Sequence, residues 1–138
     1  MRVNRYCQPI ALDRRTYTAP AAPPAIGPYS HAASAGGLLF CSGQIPLDPS
    51  TGEIVGASCA EQTRQCLVNL QAVCEAAETS LGRAVRVTIY TTDLGSFAEI
   101  NEIYGSFFPG KEPPARVTVG VRALPKGALV EIEATVAL

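Results

Sequence analysis

Two side chains at strand ends stand out for their chemistry. Arg116 follows Pro113-Pro114-Ala115, whose restricted backbone stiffens the approach and sets the direction of its guanidinium. A guanidinium held this way can grip a carboxylate through two parallel hydrogen bonds. Glu131 lies in a stretch, 129–138, that alternates apolar and polar residues. That alternation is expected to bring it to the same side of the sheet as Arg116, where a carboxylate can hold or deprotonate a water. The competing reading is an exposed Arg–Glu ion pair worth about 0–1 kcal/mol.

Other chemistry finds less support. His31 is the single histidine, so any Ser-His or Cys-His pair would need it as base, for example with Ser42. Ser42 sits in Cys41-Ser42-Gly43 rather than in a G-x-S-x-G elbow. No G-x-x-x-x-G-K-[ST] or G-x-G-x-x-G run is present to cradle phosphates. One histidine and no C-x-x-C spacing leave no recognisable metal site. The five cysteines are an odd number. Cys59, Cys66 and Cys74 recur every seven or eight residues, about 10–12 Å apart along a helix and too far for mutual disulfides. They read as buried, reduced thiols in a reducing compartment.

The elements that position these residues follow from periodicity. Gly36-Gly37 separates 29–35 from the apolar run 38–41, as in a hairpin. Ser58 and Glu61 form a capping box, and Cys66, Leu70, Val73, Cys74 and Ala77 continue one apolar helical stripe to a stop at Gly82. Glu61, Gln62, Arg64, Gln65, Asn69, Gln71 and Glu75 take the other side. Residues 85–91 alternate as a β-branched strand. A second capping box, Ser96 and Glu99, opens a helix carrying Phe97, Ile100, Tyr104, Phe107 and Phe108 until Pro109-Gly110. Two further strands, 116–122 and 129–138, flank a turn at 124–127. The order predicts an α+β sheet with two helices on one face. Val117, Val119 and Val121, with Val130, Ile132, Ala134 and Val136, are expected to meet the helices. Arg116, Thr118, Gly120 and Arg122, with Glu131, Glu133 and Thr135, are expected on the uncovered side, which is either solvated or an inter-subunit surface.

The whole chain is 138 residues, 47% hydrophobic and 17% charged, with 11 basic and 12 acidic residues. The net charge of -1 gives no broad attraction to nucleic acid or anionic membrane. No run approaches the roughly 20 apolar residues of a bilayer span. Residues 1–16 read as an N-terminal extension, flexible or strand-forming, and 17–138 as one domain. The arginines of the first fifteen residues leave a mitochondrial targeting role as the minority reading beside a cytoplasmic location.

Several blocks then occur in a telling order: Ala25-Ile26-Gly27-Pro28-Tyr29-Ser30, Cys41-Ser42-Gly43-Gln44-Ile45-Pro46, Thr51-Gly52-Glu53, Gln62-Thr63-Arg64-Gln65, Pro114-Ala115-Arg116-Val117, Leu124-Pro125-Lys126 and Val130-Glu131-Ile132-Glu133-Ala134. From about Ala19 to the C-terminus the chain resembles the RidA (YjgF) family of reactive-intermediate deaminases. The resemblance implies a chorismate-mutase-like sheet of about six strands, assembled as a homotrimer with active sites between subunits. It implies hydrolysis of 2-imino acids and enamines such as 2-aminoacrylate, released by pyridoxal-phosphate enzymes, to 2-oxo acids and ammonia. No cofactor or metal is implied.

By the same resemblance, Arg116 binds the substrate carboxylate and Glu131 positions water. Tyr29 and Ser42 match pocket residues near the imine, Gly43 supplies backbone at the wall, and Asn101 matches a pocket asparagine. Thr118 stands where many members have cysteine, and His31 where many have glutamine. Two other classes of function remain in view: an endoribonuclease or translation inhibitor, and a non-catalytic 2-oxo-acid-binding or chaperone-like module.

Overall fold

The computed structural model describes residues 13–138. The fate of residues 1–12 in the expected N-terminal extension, and of Cys7, lies outside the described residues. The chain builds β1 (Arg15–Tyr17), β2 (Ala32–Ala35), β3 (Leu38–Gln44), α1 (Cys59–Ala76), β4 (Ala84–Thr91), α2 (Phe97–Phe107), β5 (Ala115–Gly120) and β6 (Val130–Ala137). The six strands form one mixed sheet in the order β1-β2-β3-β6-β4-β5. Among the described residues only β4 and β5 pair in parallel, as a strand–helix–strand crossover through α2 requires. The β2–β3 hairpin turns on Gly36 and Gly37, whose φ of 60° and 79° match a two-residue turn that most side chains resist.

The core lies between the sheet and α1. Cys66, Leu70, Val73 and Cys74 of the helix stripe are buried against Leu39, Val87, Ile89, Val130, Ile132 and Val136. Period 3.6 on the helix and period 2 on the strands each present one apolar surface, and burial of both stabilises the contact at about 25 cal/mol per Å². Ser58 caps α1 as expected, accepting from the Glu61 backbone N–H at 3.1 Å. Glu61 reaches back to accept from Ala57 N at 3.2 Å.

The helix ends earlier than the sequence suggested. Its last residue is Ala76, and Glu78 takes the left-handed turn with φ 60°. Gly82 lies instead in a separate 3₁₀ turn, Leu81–Arg83. The second capping box also differs. A 3₁₀ turn at Leu94–Ser96 precedes α2, and Ser96 donates to Asp93 Oδ2 at 2.7 Å instead of capping. Asp93 is the residue that accepts from the backbone, at Gly95 N.

Two residues expected on the solvated side of α1 are buried because they satisfy loop backbone. Asn69 donates to Ile45 O at 3.2 Å and Leu47 O at 3.0 Å. Gln62 donates to Gly56 O at 3.0 Å and accepts from Leu129 N at 2.8 Å. Polar side chains inside a helix–loop junction add hydrogen bonds to those the loop makes itself, such as Leu47 N to Ile45 O.

The strongest departure concerns β5. Cross-strand pairing puts Arg116 beside Val87 and Thr118 beside Ile89, both buried positions of the helix-covered face. Val117 and Val119 are each 36% exposed and turn to the other face, with Tyr90 and Glu133. The expected assignment of faces is therefore reversed for this strand, while it holds for β6. Alternation says which residues share a side but not which side meets the helices. At an edge strand only the pairing decides.

Asn69→Leu keeps the side chain's bulk but orphans the Leu47 carbonyl and leaves Ile45 O with its Leu47 N–H alone. Thermal and denaturant unfolding should show a loss of about 2–4 kcal/mol. A change within about 0.5 kcal/mol would mean that the Leu47 carbonyl is not held by Asn69.

Candidate active site

The residues expected to share one site fall into two groups. Tyr29, Ser42, Gly43 and Glu131 line one cleft of about 250 Å³, together with Ile26, Ile45 and Pro125. The ladder between β3 and β6 builds it. Cys41 pairs with Ala134 and Gln44 with Ile132, so one extra residue bulges out at Ser42-Gly43. A bulge re-aims the backbone locally, here against the neighbouring Glu131 side chain. Gly43 is required at that approach, because a Cβ there would overlap Glu131 Oε1. Ser42 Oγ donates to Ser30 O at 2.7 Å, and the Tyr29 hydroxyl accepts from Ile26 N at 3.1 Å. Both hydroxyls thus brace the loop that forms the cleft's outer wall.

Burial, reinforced by the nearby Glu133 charge, pushes the Glu131 carboxyl above the usual carboxylate range. A carboxylate so destabilised binds a proton more readily and is better suited to move one to and from a water.

The second group lies on the opposite face, under α2. The Arg116 guanidinium stacks over Tyr104 at 4.7 Å and Phe97 at 5.7 Å. Asn101 stands between these rings on the same helix face, four residues after Phe97 and three before Tyr104. Thr118 is the next residue of β5 on Arg116's side. Asn101 Oδ1, Thr118 Oγ1 and the Tyr104 hydroxyl are all buried without a hydrogen-bond partner. Unpaired buried polar atoms are uncommon and call for a ligand, a water or a partner surface.

Arg116 and Glu131 do not meet in one chain, contrary to the shared side expected of them. Val87 pairs with both Arg116 and Ala134, whereas Tyr90 pairs with both Val119 and Glu131. The odd-numbered row of β6 therefore faces away from Arg116. The surface ion pair is ruled out by the same register.

His31 is engaged with backbone on both ring nitrogens. It is buried, with Nδ1 accepting from Ala19 N at 2.8 Å and Nε2 donating to Pro23 O at 2.8 Å. A backbone N–H on one side and a carbonyl on the other fix the Nε2–H tautomer. The ring ties the loop 19–28 to the sheet edge. The four described cysteines, Cys41, Cys59, Cys66 and Cys74, are free and buried. The neighbouring Cys74 thiol and burial push Cys41 up, and burial does the same to Cys66, so these two are poor nucleophiles. Among the described residues no group of His, Cys, Asp or Glu could hold a metal ion, and no helix is long and apolar enough to cross a membrane.

Sequence reasoning passed over the aromatic support of Arg116. Phe97 and Tyr104 read there as members of an apolar stripe. Their seven-residue spacing, which places both rings over one strand position, was the available signal.

A mixed six-stranded sheet carrying two helices, with polar groups at its strand ends, defines the class as chorismate-mutase-like α+β. The Endoribonuclease L-PSP family model matches residues 19–138. The RutC family protein y4sK of Sinorhizobium fredii is 55% identical over 117 residues, covering 85% of this chain and 92% of that one. The Rid-family protein YyfA of Yersinia pestis superposes with a TM-score of 0.88 at 44% identity, covering 91% of this chain and all of that one. TdcF of E. coli, solved with bound serine, gives 0.84 at 41% identity and covers 90% and 98%. The chain belongs to the Endoribonuclease L-PSP (RidA/YjgF) family.

Gly43→Ala should displace the Glu131 carboxylate while leaving the sheet intact. Circular dichroism should stay native and any hydrolytic activity should fall more than about tenfold. Undiminished activity would remove Gly43 and Glu131 from a common site.

Proposed function

We propose that the protein hydrolyses 2-imino acids, and their enamine tautomers such as 2-aminoacrylate, to 2-oxo acids and ammonia. In this reading it works as a homotrimer whose sites pair the Arg116 group of one subunit with the Glu131 group of the next. The observation that carries the reading is Arg116: its faces rest on aromatic rings, and no carboxylate among the described residues pairs with it. Stacking occupies the faces of a guanidinium and leaves its in-plane N–H donors for a ligand. A small planar carboxylate suits that fork. The serine bound to TdcF, itself an α-amino carboxylate, supports this ligand class.

The chemistry needs little else. An enamine first gains a proton at C3 to become the imine. The protonated imine carbon is electrophilic, so water adds to C2 without a covalent nucleophile. Glu131 takes the proton that the water loses and returns one to nitrogen, and the carbinolamine collapses to the 2-oxo acid with loss of ammonia. The raised proton affinity of Glu131 suits this exchange. Arg116 supplies orientation, which holds C2 at a fixed distance from the water.

Two features support the proposed assembly. The helix-free face is concave, about 470 Å³, and lined by Phe40, Val117, Val119, Tyr90 and Arg86 with Glu133. Phe40 is 50% exposed there, and apolar side chains grouped on an otherwise uncovered sheet face suit burial against another copy. The family model's description as an endoribonuclease keeps RNA cleavage as the alternative outcome. With net charge -1 and no tryptophan, the chain has weak means of tracking a phosphate backbone.

The test is to generate 2-aminoacrylate with a pyridoxal-phosphate dehydratase and follow its conversion to pyruvate. Wild type should accelerate it, Arg116→Ala should lose about a hundredfold or more, and Glu131→Gln should be comparably impaired. No acceleration by wild type, or RNA cleavage abolished by the same substitutions, would overturn the reading. Because Glu131 must be ionised to accept the proton, activity should fall with acid at a pH above the ordinary carboxylate range. Glu133→Gln, which removes a neighbouring charge, should move that limb to lower pH. The raised affinity also means that the folded state loses stability as pH rises through Glu131's titration. Glu131→Gln should therefore raise Tm at neutral pH while removing activity.

A further inference from the structure

Arg116 has one deep neighbour that neither the resemblance nor the comparisons assign. Tyr104 is 6% exposed, whereas Phe97, the other ring beside the guanidinium, is 42% exposed. Tyr104 is also the nearer ring, 4.7 Å against 5.7 Å. It is itself pinned by Phe108, whose ring centroid lies 4.7 Å away at 35°. The C-terminal end of α2 thus lines up Phe108, tilted against Tyr104, with Arg116 over the Tyr104 ring. A long arginine side chain at an edge strand has several rotatable bonds and loses much entropy when a ligand must organise it. A rigid ring beneath it removes part of that loss beforehand.

We propose that Tyr104 is a positioning residue for carboxylate recognition, its ring holding the Arg116 guanidinium in the plane that presents its N–H fork to the ligand. The proposal rests on the reading of Arg116 as the carboxylate-binding group, and it assigns the effect to the ring rather than the hydroxyl. A cation over an aromatic face gains most when both are withdrawn from water, and Tyr104 is the partner that is so withdrawn. Within the chain the hydroxyl has no hydrogen-bond partner, so no bond of this chain orients the ring, and Tyr104→Phe tests any bond it makes to a ligand or another copy. Burial keeps it protonated, against the opposing effect of Arg116, and the ring therefore presents a neutral face to the cation.

The experiment combines kinetics with a readout that does not need turnover. Tyr104→Leu should raise KM for the imino acid, and Kd for a 2-oxo acid, about tenfold with a smaller change in kcat. Tyr104→Phe keeps the ring and should recover most of that loss. In an Arg116→Lys background the Leu substitution should cost much less, since a compact ammonium makes no fork to align. In the NMR spectrum of ¹⁵N-labelled wild type, the Arg116 Nε–H should carry a ring-current shift that survives in Tyr104→Phe and shrinks in Tyr104→Leu to the part that Phe97 supplies. If Tyr104→Leu does not fold, wild type and Tyr104→Phe still decide through that shift. Loss of the shift in Tyr104→Phe, a KM unchanged in a folded Tyr104→Leu, or equal losses in both variants would overturn the proposal. If wild type hydrolyses no imine yet the shift is present and oxo-acid binding depends on the ring, the proposed reaction fails and the Tyr104 assignment stands.

Discussion

The register among β4, β5 and β6 sends Arg116 and Glu131 to opposite faces of one sheet. Strand side chains alternate with a period of two, so no rotamer change carries either group around the sheet, and a register slip would expose the whole apolar row of β6. That row, Val130, Ile132, Ala134 and Val136, is buried against α1. The packing that stabilises the fold is thus the same constraint that divides the candidate machinery in two. A guanidinium beside aromatic rings lies on one side and a carboxylate of raised proton affinity on the other, and the proposed assembly is what would bring them together.

Local devices shape each half. On the Glu131 side, the bulge at Ser42-Gly43 and a glycine without a Cβ give the carboxylate room in a partly desolvated cleft. His31 ties down the adjoining loop through two backbone hydrogen bonds, and Asn69 holds the segment that follows the bulge. On the Arg116 side, the Pro113-Pro114 lead-in and the aromatic faces of α2 define where the fork lies. Neither half uses a group of unusual reactivity. The proposed chemistry draws on orientation and desolvation, which suits a substrate whose C=N carbon is already electrophilic.

Much of this was legible in the residues. The helices were read from a capping box and 3.6-residue stripes, and the β2–β3 turn from Gly36-Gly37. Blocks such as Pro114-Ala115-Arg116-Val117 pointed to the family. Most of the misreadings share one cause, since they depend on contacts distant in sequence, whereas those at the helix ends are local. Valines at 117 and 119 look like core residues, but β5 pairs only with β4 and their face is the uncovered one. Asn69 and Gln62 look solvated until the loops they satisfy fold over α1. Tyr104 looks like one more apolar stripe residue until β5 brings a cation beneath it. Ser96 has the spacing of a cap, but Asp93 is nearer to the free N–H groups and takes that role.

Subunit complementation addresses the division of the site most directly. Arg116→Ala and Glu131→Gln chains, carrying different tags, are co-expressed and the mixed oligomers purified. If each site takes Arg116 from one subunit and Glu131 from its neighbour, every mixed trimer, whether two-to-one or one-to-two, keeps both groups intact at one of its three sites. Imine hydrolysis should then return to about one third of wild type, although each parent is nearly inactive. Mixed oligomers no more active than their parents would contradict a site shared between copies.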